Sequence, residues 1–213
     1  MHFLPDTLEA YITDHSENEP EVLQKLRRET HLKVIQPRMI TGHYQGRVLS
    51  MLAKLIRPQK ILEIGTYTGY SAICLAEGLE ENGIVHTIDI NKELYDIQRK
   101  YFDQSGYGHQ IIQHTGDALS IIPQLEESFD LVFIDAEKKK YRDYYESAIL
   151  KTTKGAVIIS DNVLWSGKVI EPLGKKDITT RAVLEYNKHL KDDPRVDTLL
   201  LSVRDGLTLC RVR

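Results

Sequence analysis

From residue 60 onward, short apolar runs rich in β-branched residues alternate with stretches of helical period. The runs predict strands over Lys60–Ile64, Ile84–Ile90, Gln110–His114, Phe129–Asp135 and Ala156–Ser160. The intervening pattern predicts helices over Tyr70–Glu81, Lys92–Ser105, Ala118–Gln124 and Tyr141–Leu150. Alternation of this kind builds βαβ units, so the expectation is an α/β fold with a parallel sheet covered by helices on both faces. The rhythm breaks near the end. After a helix at about Thr179–Lys191 come Thr198–Val203 and Leu207–Val212, separated by Arg204-Asp205-Gly206. An Asp-Gly step between apolar runs predicts an antiparallel hairpin.

The first 58 residues read as helical. Asn18-Glu-Pro-Glu21 offers an N-cap, a proline near the first turn and a carboxylate at N3, and Leu23 and Leu26 then mark an apolar face. A third helix over His43–Ile56 carries Val48, Leu49, Leu52, Leu55 and Ile56 at helical spacing. No low-complexity linker follows. Residues 1–58 are therefore expected to form a helical cover on a core of residues 59–213, within one domain spanning 1–213, a length sufficient for a substantial core.

Composition narrows the function classes. With 41% hydrophobic and 28% charged residues and a net charge of −3, the chain lacks the basic excess of a nucleic-acid binder. No apolar run reaches membrane-spanning length, so no membrane partner is expected. The start, Met1-His-Phe-Leu-Pro-Asp6, has no basic region followed by an apolar signal core. Cys74 and Cys210 both sit in apolar patterns and read as core residues in a reducing, cytoplasmic compartment. The eight histidines show no ligand spacing and are expected on the surface; Tyr141, Tyr144 and Tyr145 are expected to pack along a helix.

The candidate chemistry gathers at strand ends. Phe129–Asp135 ends in one carboxylate, and the run from Ala156 ends in Asp161-Asn162. As carboxyl ends of neighbouring parallel strands, these would meet where open α/β sheets hold ligands. Two carboxylates and an amide, without clustered His or Cys, suit a hard cation such as Mg²⁺ better than zinc. Asp161-Asn162 also suits a plain turn. Lys138 lies three residues past Asp135, within Glu137-Lys-Lys-Lys140, a charge run that elsewhere would read as a solvated face; Lys139 and Lys140 keep that reading.

Upstream, Ile61-Leu-Glu63-Ile-Gly65-Thr-Tyr-Thr-Gly69-Tyr-Ser71 leads from strand to helix. A glycine here lets a ligand approach the backbone, and the helix start offers free N–H groups. A dinucleotide fingerprint would need glycine at the positions of Gly65, Tyr67 and Tyr70, and two of these are tyrosine. No Gly-Lys-Ser/Thr follows either. What remains suits a ligand with an amino acid and a nucleoside but no phosphate. Glu63 lies in an apolar strand, where a carboxylate is costly to bury unpaired; it marks either a site or a helix-capping or salt-bridged structural acid. Asp89 ends the second strand about 20 residues past the glycine loop, the place for an acid gripping ribose hydroxyls. Asp117, in Thr115-Gly-Asp-Ala118, extends the series toward an adenine pocket.

At Glu63–Ser71, Ile88-Asp-Ile-Asn91, Phe133-Ile-Asp-Ala136 with Lys138, Asp161-Asn-Val-Leu-Trp-Ser-Gly167 and Asp205-Gly-Leu-Thr-Leu209, the chain resembles the cation-dependent class I O-methyltransferases, which include catechol and caffeoyl-CoA O-methyltransferases. The resemblance runs from about Leu23 to the C-terminus. It implies the class I methyltransferase (Rossmann-like) fold, a mostly parallel seven-stranded sheet ending in an antiparallel hairpin. It also implies S-adenosylmethionine, contacted by Thr41, Glu63, Gly65, Thr66, Tyr67, Ser71, Asp89, Ile90, Asp117, Ala118, Asp135 and Glu137. Asp135, Asp161 and Asn162 would bind the cation, Mg²⁺ ahead of Mn²⁺ or Ca²⁺, and Lys138 would be the general base. Met39, Lys138 and Trp165 would face a small vicinal-dihydroxy aromatic, and the implied assembly is a homodimer. Two departures leave the acceptor open among catechols, hydroxycinnamoyl esters and specialised metabolites. Leu199-Leu-Leu-Ser-Val-Arg204 offers no carboxylate where animal catechol enzymes hold the second hydroxyl, and Ser166 stands where plant caffeoyl-CoA enzymes have asparagine. The late start, without the plant enzymes' basic extension, resembles a bacterial-type member.

Competing readings are weaker. Nucleic-acid methyltransferases acting on exocyclic amines carry Asn/Asp-Pro-Pro-aromatic where this chain has Asp135-Ala-Glu-Lys138, and the basic footprint is missing. A nicotinamide oxidoreductase is disfavoured by Tyr67 and Tyr70, and a non-catalytic cofactor-binding protein by the complete ligand set and Lys138.

Overall fold

A computed structural model describes residues 4–213; Met1, His2 and Phe3, at the start of the expected helical cover, lie outside the described residues. Seven strands form one sheet: β1 (Lys60–Ile64), β2 (Ile84–Asp89), β3 (Ile111–Thr115), β4 (Phe129–Ile134), β5 (Thr152–Asp161), β6 (Val196–Leu201) and β7 (Leu207–Val212). Their order is β3-β2-β1-β4-β5-β7-β6. The first five run parallel, and β7 is antiparallel to both β5 and β6. This is the class I methyltransferase arrangement expected above. The helices are α1 (Asp6–Asp14), α2 (Glu21–Lys33), α3 (His43–Ile56), α4 (Tyr70–Ala76), α5 (Tyr95–Ser105), α6 (Ala118–Ile121), α7 (Tyr141–Ile149) and α8 (Ile178–Asp192).

Strand side chains alternate between faces, and the two faces carry separate apolar clusters. Ile61, Leu131 and Phe133 pack with Leu23 and Leu26 of α2, Leu49 and Ala53 of α3, all of α4's apolar residues and Phe102 of α5. Leu62, Ile64, Val132 and Ile134 pack instead under α6, α7 and α8, with Tyr145, Tyr186 and Leu190. α2 and α3 thus share the core of the sheet, whereas α1 buries no residue. By the same parity Glu63 falls on the side of Ile61, fully buried.

Several boundaries differ from the sequence reading, each for a tertiary reason. Asn18 caps nothing: α2 begins after Pro20, whose carbonyl accepts from Leu23 N and Gln24 N. Glu19 sets the entry instead, accepting from Arg27 Nη2 at 2.8 Å and from the Tyr70 hydroxyl at 2.7 Å. The helix from Tyr70 ends at Ala76 rather than Glu81, and the chain turns at Gly78, where α3 comes so close that a Cβ would lie 2.2 Å from the Ala53 carbonyl carbon. Lys92–Leu94 and Ile122–Gln124 are 3₁₀ turns flanking α5 and α6, the latter containing Pro123, which cannot donate to a longer helix. β5 starts at Thr152, where it pairs with Phe129 across a shift in register.

The terminal hairpin pairs Leu201 with Leu207, so its connection spans residues 202–206 rather than Arg204-Asp205-Gly206 alone. The extra length docks onto the segment after β5: Leu164 N donates to Asp205 O at 2.9 Å, and Ser166 N to Asp205 Oδ1 at 2.5 Å. Not all histidines are on the surface. His86, in β2, is buried, with Nδ1 3.0 Å from His114 Nε2 and its ring edge-on to Phe129. Cys74 and Cys210 are buried free thiols. Among the described residues no helix is long and apolar enough to cross a membrane.

Candidate functional site

The sheet order reverses between β1 and β4, which opens a crevice at their carboxyl ends. Asp135 N donates to Ile64 O and Gly65 N to Ile88 O, both at 2.9 Å, so the three strand ends are tied together. Gly65 has φ +100°, and a Cβ there would sit 1.9 Å from the Asp135 carbonyl oxygen. The Cβ position of this glycine is filled by the Asp135 backbone just after β4, so only glycine fits here, and Gly65 still borders the crevice.

Two adjoining cavities occupy the crevice. The first, about 940 Å³, is lined by Ile90, Asp89, Asp117 and Ala118, with Tyr144 of α7. The second, about 780 Å³, is lined by Thr41, Thr66, Ser71, Lys138, Asp161, Asn162 and Trp165. Met39, Gly65, Tyr67, Asp135 and Glu137 border both. Every residue singled out from sequence therefore lies on one cavity or the other except Glu63, which is buried behind the wall.

On the first side, Asp89 accepts Tyr67 N at 2.6 Å and Asn91 N at 2.8 Å. Burial raises its pKa above the ordinary value, and these backbone donors oppose the rise. Asp117 spends one oxygen capping α6 through Leu119 N at 3.3 Å. Glu63 Oε2 accepts from Thr87 at 2.5 Å, and Thr87 also contacts the Thr66 hydroxyl at 2.5 Å. Among the described residues Glu63 Oε1 has no hydrogen-bond partner. Burial pushes this carboxyl up to about 8, against the pull of the Ser71 and Thr87 hydroxyls and with help from the charges of Asp135 and Asp89. An orphaned carboxylate oxygen behind a cavity wall is an acceptor waiting for a donor or a positive charge. The amino acid end of S-adenosylmethionine has both, so the residues fit that cofactor.

On the second side, Lys138 sits on a 3₁₀ turn, with Nζ 2.8 Å from Asp135 Oδ1, 2.6 Å from the Tyr141 hydroxyl and 3.3 Å from Ala136 O. Tyr141 is buried and donates to Asp161 O at 3.0 Å. Burial holds its phenol well above the ordinary range, and the charges of Asp135 and Asp161 add to this. Asp161, 2% exposed, accepts Gln45 Nε2 at 2.5 Å and Asn162 N at 2.6 Å. No Lys or Arg forms an ion pair with it among the described residues, and burial, then the charge of Asp135, pushes its carboxyl up. A buried carboxylate with no ion-pair partner among the described residues, though Lys138's charge opposes the rise in its pKa, a second carboxylate and the Asn162 amide make a donor set that fits a hard divalent cation.

Sequence reasoning missed three residues here. Tyr141 reads from sequence as helix packing, although its spacing of three from Lys138 is a usable signal. Gln45, 116 positions from Asp161, and Arg204, which donates from Nη1 to Thr41 O and to Gln45 Oε1, carried none. A further acidic group, Glu146, His189 and Asp193, lies elsewhere. Arg195 fills it, with Nη2 2.9 Å from Glu146 Oε1 and 2.6 Å from Asp193 Oδ2, so it is an ion-pair cluster joining α7, α8 and β6.

The O-methyltransferase family profile matches residues 13–213. A caffeoyl-CoA O-methyltransferase of Petunia hybrida is 38% identical over 97% of this chain and 90% of its own length. One from Zea mays is 39% identical over 97% of this chain and 84% of its own. Among solved structures, an O-methyltransferase from Bacillus cereus in complex with S-adenosylhomocysteine superposes with a TM-score of 0.90 at 29% identity, over 97% of each chain. TomG of Streptomyces achromogenes, an O-methyltransferase involved in tomaymycin synthesis and bound to S-adenosylmethionine, gives 0.89 at 31% identity, over 97% of this chain and 96% of its own.

Proposed function

The chain belongs to the O-methyltransferase family and is an S-adenosylmethionine-dependent O-methyltransferase; from that premise we propose that its acceptor is a vicinal-dihydroxy aromatic and that a divalent cation assists. The observation that carries this reading is the juxtaposition of Lys138 Nζ, 2.8 Å from Asp135 Oδ1, with the buried Asp161 carboxylate on the wall of one cavity. Asp135, Asp161 and Asn162 would hold the cation, and Glu63, Asp89 and the β1–α4 loop the cofactor. When bound, the cofactor supplies an activated methyl group, and the cation lowers the pKa of a coordinated hydroxyl.

The chain's own residues do the rest. In its neutral amine form, Lys138 Nζ is positioned to take the proton of the acceptor hydroxyl. Asp135 and the Tyr141 hydroxyl hold that amine in place, and Tyr141 in turn is fixed on the Asp161 carbonyl. Gln45 orients the Asp161 carboxylate. Met39, 55% exposed, and Trp165 flank the cavity mouth, where they would sandwich a flat ring and exclude water. Because Asp135, Gly65 and Tyr67 border both cavities, the two reactants would meet across a shared wall, and this positioning supplies much of the rate.

Labelled methyl donor incubated with caffeic acid tests the proposal. Transfer is expected to one ring hydroxyl and to stop in EDTA until Mg²⁺ is restored. Undiminished transfer in EDTA refutes the cation, and turnover of monophenols as fast as diphenols refutes the acceptor class.

A further inference from the structure

We propose that Arg204 makes this acceptor site selective for diphenols that carry a free carboxylate. The inference rests on the reading that the second cavity takes a diphenol, and it names the class within it.

Arg204 lies in the 202–206 connection, half-buried, on the wall of the second cavity. Its Nη1 donates to two neutral acceptors, Thr41 O and Gln45 Oε1. Among the described residues no hydrogen bond engages Nε or Nη2, and no carboxylate pairs with the guanidinium. Every other arginine with a side-chain hydrogen bond reaches an acid: Arg27 with Glu19, Arg47 with Glu77, Arg57 with Glu80, Arg99 with Asp103, Arg195 with Asp193, Arg213 with Asp197. The adjacent Asp205 does not pair with it either; its Oδ1 accepts Ser166 N. Arg204 is thus a fixed cation on a cavity wall with three of its five donors uncommitted.

Its place decides which anion it suits. Gln45 bridges Arg204 to Asp161, one side chain from the hydroxyl-binding end. An anion reaching the guanidinium must therefore sit on the same small, rigid molecule as the diol. A planar carboxylate matches the guanidinium fork in two parallel hydrogen bonds. A thioester blocks that carboxylate and carries its phosphates on a long flexible arm, which Arg204's position beside Asp161 does not favour.

The test compares kcat/KM for caffeic acid, its methyl ester and its coenzyme A thioester, in wild type, Arg204→Gln and Arg204→Lys. One charge-assisted interaction predicts a wild-type preference for acid over methyl ester of about 10- to 100-fold, mostly in KM. In Arg204→Gln the ratio falls toward one, and in Arg204→Lys part of it survives. A purely structural role for Arg204, holding Thr41 and Gln45, would lower both substrates together and leave the ratio unmoved, which overturns the proposal. So does a wild type that uses methyl ester or thioester as well as the acid. Turnover of both acid and ester without preference refutes the carboxylate alone. Absence of turnover on every diphenol, with S-adenosylhomocysteine binding intact by calorimetry, refutes the underlying acceptor reading and this inference with it.

Discussion

Gly65→Ala isolates the contact that joins the two halves of the site. A Cβ at residue 65 would lie 1.9 Å from the Asp135 carbonyl oxygen and 2.7 Å from its carbon, so the ends of β1 and β4 must separate by about 1 Å. Overpacking of this kind costs about 1–3 kcal/mol. Alanine at φ +100° adds about 1–2 kcal/mol of backbone strain. Gly106→Ala is the matched control: φ is +86°, but nothing lies within 4 Å of the added methyl. It should show the backbone part alone. At about 2–4 °C per kcal/mol for a chain of this size, Gly65→Ala should lower Tm by roughly 4–20 °C and Gly106→Ala by roughly 2–8 °C. Because Asp135 moves with β4, turnover of Gly65→Ala should also fall by about 100-fold. Differential scanning calorimetry of both variants, with turnover assays on each, reads the result. Equal Tm values for the two variants, with wild-type turnover in Gly65→Ala, would refute the argument that this glycine holds the strand ends in register.

Lys138→Met should abolish turnover while leaving S-adenosylhomocysteine affinity nearly unchanged by calorimetry; wild-type rates would remove Lys138 as the base. Tyr141→Phe deletes the hydroxyl between Lys138 and the Asp161 carbonyl and should lower kcat by about 10- to 100-fold with little change in KM, the loss expected for a hydrogen bond to a charged group. Asp161→Ala should remove Mn²⁺ binding measured by calorimetry on the whole chain, and retained affinity would shift the cation elsewhere. Glu63 has a folded-state pKa of about 8 against an ordinary 4.5, so folding favours its neutral form. That stability is fully present below about pH 4.5 and is lost as pH rises through 8. Ligand-free wild type should therefore lose Tm between pH 5 and 8 relative to Glu63→Gln, and parallel Tm profiles would contradict this.

The strand-end acids were legible because each ends a short apolar run, and a parallel sheet brings such ends to one edge. Asp89, Asp135 and Asp161 all reach the crevice this way. The tyrosines in the glycine loop likewise excluded a dinucleotide fingerprint without coordinates. The sequence pattern missed what depended on a neighbour. Gly65 read as a ligand approach; it borders both cavities and is also a close contact with the Asp135 backbone. Tyr141 read as packing and is also the anchor of Lys138. His86 read as surface and is buried against His114 and Phe129.

By itself the sequence determined the kind and order of the elements and the donor types at the sheet edge, since hydrophobic period and strand-end chemistry are properties of a few consecutive residues. The tertiary structure alone decided that α4 stops at Ala76 against Ala53, that the hairpin connection stretches to meet Leu164 and Ser166, and that Gln45 joins Asp161 to Arg204. Those contacts link residues far apart along the chain. Side-chain packing creates them when the helices close over the sheet, and no local period encodes which distant partner will arrive.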